Sequence, residues 1–169
     1  TYYFSRDTRP LDLLNMIYKN ADDQFTSLYE NNKENISHIL KNQKEVLILS
    51  SIVEAEAKLD QEKKRIAAVF LNRLKIGMKL QSDPTVIYGI NQTVSLEDYL
   101  NKDDLLIDHE WNTYRYYGLP PTPICNVGID AFNAVLNPEK NNYLYFVADG
   151  KGGHIFSETY KEHINNIKK

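Results

Sequence analysis

Apolar residues recur at helical spacing through the first half of the chain. The predicted helices cover residues 10–30, 43–59 and 61–76. Pro10 suits a first helical turn, Asn42 and Asp60 can cap the second and third helices, and Gly77 is placed to end the third. The second helix is apolar on most sides, which is typical of a buried helix.

The second half alternates between polar stretches and short elements. A turn at 81–85 leads into a short helical pattern that runs through Tyr88. The other predicted elements are a short helix near 96–100, an extended proline-rich loop at 118–123, a helix at 130–136, strands at 143–148 and 154–156, and a last helix that Thr159 and Glu162 cap. Helices followed by one hairpin predict an α+β fold, mainly helical with a small antiparallel β element near the C-terminus.

Composition is that of an ordinary folded domain. The 169 residues are 42% hydrophobic and 25% charged, which excludes disorder and fits a single domain over 1–169. A net charge of −3 lacks the basic excess of a nucleic-acid-binding protein. No apolar run approaches the ~20 residues of a membrane helix. The single cysteine, Cys125, excludes an intrachain disulfide and a cysteine-rich zinc site.

Two glutamates end the apolar second helix. Burial of Glu54 would raise the pKa of its carboxyl and keep it protonated, as a general acid for glycosidic bonds requires. The plainer interpretation is an exposed Glu54 that pairs with Lys58, four residues on. Glu56 is rotated by roughly 200° around the helix, so the two carboxylates cannot share one site. If one is catalytic, we expect the other to have a structural partner.

Other candidate residues also have plainer interpretations. Asp83 precedes Pro84 and can cap a short helix, or it can supply a second carboxylate beside a cleft. The glycine-rich stretch 149–154 lacks the spacing of a phosphate loop and leads into a strand. His154 and His163 have no third ligand at a recognisable spacing, so no metal site is predicted. Cys125 is better explained as a small buried residue than as a nucleophile.

Several blocks carry a resemblance to a known family. They span 51–57, 65–74, 77–89, 112–114, 118–121, 123–124, 137–138, 143–147 and 150–157. In this order they resemble the YceG-like family of endolytic murein transglycosylases, from Thr1 to about His163. Two departures stand out: Val127 occupies a position where the family commonly has proline, and residues 91–110 diverge from the family pattern.

The resemblance implies a lytic transglycosylase that cleaves the β-1,4 bond between N-acetylmuramic acid and N-acetylglucosamine in peptidoglycan. The family's acid corresponds to Glu54, which would protonate the leaving oxygen and then, as base, take the proton of the C6 hydroxyl that closes a 1,6-anhydro ring. The nucleophile belongs to the substrate, so neither a cofactor nor a metal is implied. The residues expected to bind substrate are Gln81, Asp83, Thr85, Tyr88, Asn112, Tyr114 and Glu56.

The family also implies a location and partners. The chain begins within a family motif rather than at a methionine, so we expect a domain truncated at its N-terminus, with an anchor upstream of Thr1. The expected location is the periplasm or the outer face of the cytoplasmic (inner) membrane. Expected partners are peptidoglycan glycan strands and cell-wall synthases, without nucleic acid, for a monomeric protein. Two other functions stay open: a muramidase-type hydrolase that uses Glu54 and Asp83, and a non-catalytic glycan-binding module.

Overall fold

The computed structural model describes residues 3–94 and 100–168 and confirms the α+β prediction. The elements in this part of the chain are α1 (Pro10–Asn32), α2 (Gln43–Glu56), α3 (Lys63–Lys75), α4 (Asp83–Asn91), α5 (Ile129–Leu136), β1 (Tyr145–Ala148), β2 (His154–Ser157) and α6 (Tyr160–Ile167). Short 3-10 turns lie at Lys33–Asn35, Asp60–Glu62 and Asp104–Leu106. The helix predicted near 96–100 falls almost entirely on 95–99, outside the described residues. None of the helices described is long and apolar enough to cross a membrane.

Local chemistry sets the ends of the helices. The Asn42 side chain caps α2 by accepting the Glu45 N–H at 2.9 Å, as expected. The prediction that this helix continues to residue 59 is wrong, because Ala57 turns to an extended conformation with φ −83° and ψ 105°. Asp60 opens a 3-10 turn instead of capping α3. Gly77 ends α3 in the left-handed region, with φ +68°, where a Cβ would be strained.

The core lies between α2, α3 and α5. Its largest fully buried side chains in these helices are Val46, Leu49, Ile52, Val53, Ile66, Val69, Phe70, Phe132 and Leu136. This confirms that α2 is a buried helix, since seven of its residues are buried from Val46 to Val53. The long helix α1 contains no buried residue and reaches the core through Phe25, whose ring packs 4.6 Å from that of Phe132. The central helix is thus fixed on several sides, and its C-terminal carboxylates have defined positions.

The hairpin and α6 form a small layer beside α3. β1 and β2 pair antiparallel with Phe146 opposite Phe156, and α6 contacts both strands. Phe146 packs edge-on against Phe70 of α3, with ring centroids 5.8 Å apart. Thr159 and Glu162 cap α6 with a complete capping box, as predicted. The last part of the described chain therefore lies against α3.

Candidate active site

A cavity of about 360 Å³ opens where α2 ends. This volume lies within the usual range for small-molecule sites. The cavity is lined by Glu56, Arg73, Gln81, Asp83, Tyr114, Tyr145, Phe146, Tyr160 and His163. These residues come from α2, α3, the start of α4, the loop after α4, the hairpin and α6. The cavity thus joins the helical core to the C-terminal layer.

Glu56, the last residue of α2, is the central acid of the cavity. Burial raises the pKa of its carboxyl to about 7, against an ordinary value of 4.5. The Ser82 hydroxyl donates to its Oε1 at 2.6 Å and partly opposes that rise in pKa, while the charge of Asp83 adds to it. Electrostatic interactions with His154 and Arg73 lower the pKa again. Near neutral pH, a substantial fraction of Glu56 therefore carries a proton that it can donate.

Asp83 and Tyr114 form a hydrogen-bonded pair in the wall of the cavity. The Tyr114 hydroxyl donates to Asp83 Oδ1 at 2.5 Å. Burial and this bond raise the pKa of Tyr114, so its hydroxyl stays protonated. Asp83 is the first residue of α4, and the N-cap position predicted for it belongs to Ser82. A second carboxylate therefore lines the same cavity as Glu56, with its orientation fixed by a tyrosine.

Gln81 occupies the cavity in a strained backbone conformation. Its φ of +50° lies in the left-handed region, which costs a non-glycine residue about 1 kcal/mol or more. The Gln81 N–H bonds to the Thr113 carbonyl at 3.2 Å and helps to hold this conformation. Strain of this kind clusters at functional sites, and here it places an amide side chain on the cavity wall.

Arg73 ties the two sides of the cavity together. Its buried guanidinium donates to the carbonyls of Leu144 and Leu80, which precede the hairpin and α4 respectively. It also lies 5.6 Å from the ring centroid of Tyr145. Arg73 therefore positions the hairpin relative to the α4 side of the cavity.

Asn112 and Thr85 do not line the cavity, so their positions give no support to the prediction that they bind substrate. Both are fully buried. Asn112 Nδ2 donates to two backbone carbonyls, and its Oδ1 accepts the N–H of Tyr114 at 3.0 Å. The Thr85 hydroxyl bonds to the Ser82 carbonyl and to the Thr113 hydroxyl. Asn112 thus shapes the loop that presents Tyr114, and Thr85 fixes the start of α4.

Tyr88 also lies away from this cavity. It lines a separate hollow with residues 92–94 and 123–126, and its ring packs against Trp111 with centroids 5.7 Å apart. The expectation that Tyr88 binds substrate stays a prediction.

Glu54 faces another part of the molecule. Its Oε1 accepts from Lys63 Nζ at 3.0 Å, and its Oε2 accepts the Gly128 N–H at 3.1 Å. The Lys63 side chain is only 8% exposed and also pairs with Asp60. The partner of Glu54 is thus Lys63 rather than Lys58, and Glu54 does not line the cavity described above. The catalytic role assigned to Glu54 from the sequence stays a prediction.

Five cavity residues were not predicted from the sequence to be site residues: Arg73, Tyr145, Phe146, Tyr160 and His163. Arg73 carried a usable signal, because it continues the apolar positions 66, 69 and 70 of α3 at helical spacing. A charged residue on a buried stripe needs partners and so indicates a special position. Tyr160 and His163 stand three residues apart, which places them on one face of α6.

A protonated carboxylic acid in a tyrosine-lined cavity is an arrangement that glycan-cleaving enzymes use. The chain belongs to the YceG-like family, which it matches over residues 1–169. It is 37% identical over 164 residues to the endolytic murein transglycosylase of Bacillus subtilis (strain 168), covering 96% of this chain and 44% of that protein. It is 35% identical over 127 residues to the endolytic murein transglycosylase of Streptococcus pneumoniae (strain D39), covering 73% of this chain and 23% of that protein.

A solved structure supports the fold. The crystal structure of a YceG-like protein from Listeria monocytogenes is similar to this chain, with a TM-score of 0.78 and 36% identity. The similarity covers 97% of this chain and 52% of that one. The chain spans less than half the length of the curated relatives described above.

Proposed function

We propose that this chain carries the catalytic domain of a peptidoglycan lytic transglycosylase, with Glu56 as its acid and then its base. The observation that carries the proposal is the Glu56 carboxyl, whose pKa burial raises to about 7 inside a 360 Å³ cavity. Such a group donates a proton at neutral pH. The relatives named endolytic murein transglycosylases support murein as the substrate.

Glu56 is better suited to this role than Glu54, the residue implied by the family resemblance. Both oxygens of Glu54 already accept hydrogen bonds from this chain, one of them from the cation of Lys63. Glu54 is thus held by contacts within the chain and does not line the cavity. Glu56 has no cation within hydrogen-bonding distance among the described residues, and its bond to the Ser82 hydroxyl leaves one oxygen for the substrate.

The proposed reaction needs only this one carboxyl. Glu56 gives its proton to the glycosidic oxygen as the bond from that oxygen to C1 of N-acetylmuramic acid breaks. The resulting Glu56 carboxylate takes the proton of the C6 hydroxyl, whose oxygen bonds to C1 and closes a 1,6-anhydro ring. No water is consumed, and Glu56 ends the cycle protonated. The attacking hydroxyl belongs to the same sugar ring, which gives it the advantage of an intramolecular reaction.

The other cavity residues have supporting roles in this proposal. The Asp83 carboxylate, held by Tyr114, faces the cavity in which positive charge develops at C1. Gln81 supplies an amide for sugar hydroxyl or N-acetyl groups. Tyr145 and Tyr160, with ring centroids 5.9 Å apart, provide aromatic surface for pyranose rings. Because murein lies outside the cytoplasmic membrane, we propose that the protein acts there as a monomer on glycan strands, alongside cell-wall synthases.

The test is cleavage of purified glycan strands by the full-length protein and two variants, followed by mass spectrometry of the products. The wild type is expected to release 1,6-anhydro ends. Glu56→Gln should lower the rate by about 10²–10⁴-fold, the usual contribution of general acid–base catalysis. Glu54→Gln should keep most activity per folded molecule, with folding monitored by circular dichroism.

Other outcomes would select a different function. Products one water heavier than the anhydro sugars would identify a hydrolase, for which Asp83 in the same cavity is the candidate second carboxylate. If Glu54→Gln is inactive while Glu56→Gln still cleaves glycan strands, the catalytic acid is Glu54. Binding of glycan strands without products, unchanged in Glu56→Gln, would indicate a binding module.

A further inference from the structure

A second carboxylate, Glu62, forms a buried pair with His154. Glu62 Oε2 lies 2.7 Å from His154 Nδ1, and Glu62 Oε1 accepts the backbone N–H of His154 at 3.0 Å. The His154 and Glu62 side chains are only 13% and 11% exposed. A carboxylate that accepts two hydrogen bonds from one residue fixes both the backbone and the ring of that residue.

The pair joins parts of the chain that are 92 residues apart. Glu62 closes the 3-10 turn between α2 and α3, six residues after Glu56, and His154 begins β2. The glycine-rich turn before His154 is shaped for this contact. A Cβ on Gly153 would lie 3.1 Å from Glu62 Oε1 and 3.2 Å from Asp149 Oδ2, closer than ordinary van der Waals contact. A glycine at this position lets the turn approach Glu62.

Asp149 organises the same turn from within. Its Oδ1 accepts the backbone N–H groups of Lys151 and Gly153 at 2.7 and 2.9 Å. The glycine-rich stretch, which the sequence excluded as a phosphate loop, thus presents His154 to Glu62.

The His154 ring also reaches the catalytic cavity. It packs edge-on against Phe146, with ring centroids 5.2 Å apart, and Phe146 lines the cavity together with Glu56. The Glu62–His154 pair can therefore affect Glu56 in two ways. It holds Phe146 in the cavity wall, and His154 interacts electrostatically with the Glu56 carboxyl.

We propose that Glu62 and His154 are positioning residues for Glu56: their pair fixes the hairpin wall of the cavity and sets the electrostatic surroundings of the catalytic carboxyl. This inference rests on the proposed function, because it assumes that Glu56 is the acid. A protonated His154 ring would favour the carboxylate that Glu56 becomes after it donates its proton. Phe146, held in place, keeps water away from that carboxylate.

The charges around both groups determine the expected sign. His154 and Arg73 lower the pKa of Glu56, and Asp83 raises it. His154 pairs with Glu62 and interacts electrostatically with Asp149 and with Glu56 itself. Removing the charge of His154 should therefore raise the pKa of Glu56 and make Glu56 a weaker acid.

The experiment compares His154→Asn and Glu62→Gln with Glu139→Gln in the full-length protein. Asparagine can still donate to Glu62, but it cannot become charged. Glu139→Gln is the matched control, because it breaks the Arg65–Glu139 pair (3.1 Å), which joins the start of α3 to a distant part of the chain but does not line the cavity. The first readout is a carbon-13 NMR titration of the Glu56 carboxyl without substrate, assigned with Glu56→Gln. The second is the pH dependence of kcat and KM on glycan strands.

His154→Asn should move the Glu56 titration, and with it the basic limb of kcat/KM, to higher pH, and should lower kcat about tenfold with little change in KM. Glu62→Gln should lower kcat by a similar factor, and the double variant should be no worse than the worse single one, because the two residues act as a unit. Glu139→Gln should leave both readouts at the wild-type values.

The inference is overturned if the Glu56 titration in His154→Asn matches that of Glu139→Gln, whatever happens to the rate. Failure of the proposed function would look different. In that case Glu56→Gln would cleave glycan strands normally, while the NMR titration would still report whether His154 acts on Glu56.

Discussion

Glu54 and Glu56 lie two residues apart at the end of one helix, yet their surroundings are opposite in kind. On one side, the Glu54 carboxylate is satisfied by a nearly buried lysine and a backbone N–H. On the other side, Glu56 has one neutral hydroxyl as its partner and Asp83 as a like-charged neighbour. The first arrangement stabilises a charge, and the second disfavours one.

The difference shows how one short sequence can serve stability and chemistry together. A rotation of roughly 200° separates the two side chains, so each can meet a different part of the chain. Glu54 helps to attach the α2–α3 junction to the start of α5, while Glu56 keeps its reactivity because it lacks such partners. Each of the following changes alters one side while leaving the other in place.

Lys63→Met should have the largest effect on stability. It leaves Glu54 and Asp60 without their cation, and breaking a largely buried pair in this way costs about 3 kcal/mol of unfolding free energy. Urea unfolding measures the loss. Lys58→Met, at an exposed lysine nearby, is the control and should change stability by about 0.5 kcal/mol at most. Equal losses in the two variants would show that the Glu54 side contributes nothing special.

Glu56→Gln should make the protein more stable at pH 8, by about 3 kcal/mol. The folded pKa of Glu56, about 7, lies above its ordinary value of 4.5. The contribution of the Glu56 carboxyl to the free energy of unfolding of the wild type is therefore fully present below pH 4.5, and it is lost as the pH rises through 7. Thermal unfolding at pH 4 and pH 8 tests the sign, since the gain should vanish at pH 4. Glu54→Gln should make the protein less stable at pH 8. If it instead stabilised the protein there as much as Glu56→Gln does, the two glutamates would not differ in the way described above.

Asp83→Asn should shift the basic limb of the activity profile to lower pH and reduce the rate at pH 8 severalfold. The charge of Asp83 helps to raise the pKa of Glu56, and asparagine can still accept the Tyr114 hydrogen bond. Measurement of kcat/KM against pH tests this prediction. Tyr114→Phe is the companion variant, because it removes the hydroxyl but keeps the charge of Asp83. If the basic limb of the kcat/KM profile of Asp83→Asn stays at the wild-type pH, burial alone sets the pKa of Glu56.

Gly128→Ala should have the smallest effect, a loss of about 0.5–1 kcal/mol. The backbone of Gly128, with φ −79°, accepts alanine, but the added Cβ would lie 3.1 Å from Glu54 Oε2. Thermal unfolding measures the loss. Glycan cleavage per folded molecule should be unchanged, and a large fall in rate would mean that the Glu54 side takes part in catalysis.

The helices and the hairpin were predictable from the sequence because their signals are local. Helical spacing located α2 and α3, and the Thr159–Glu162 capping box located α6. The early end of α2 was not predictable, because nothing in the sequence near Ala57 forces the chain to leave the helix there.

The site was predictable only in part, because its partners come from distant positions. The spacing of Glu54 and Glu56 separates the two carboxylates, but the side that becomes a cavity depends on Ser82, 26 residues from Glu56, and on Gly128, 74 residues from Glu54. Asn112 is a second case in which the sequence did not reveal the partner of a polar side chain. A polar residue expected to meet a sugar instead satisfies the backbone of its own loop, and the sequence carries no sign of that choice.

The position of the hairpin wall has a consequence for how the protein is made. The acid lies at residue 56, whereas the wall that covers it comes from residues 145–163. Contacts this far apart in sequence form late in folding. Until the C-terminal hairpin and α6 have been synthesised and packed, Glu56 lies open to water and keeps the acidity of an ordinary glutamate. A chain in which this layer has not yet packed therefore holds Glu56 without the surroundings that raise its pKa.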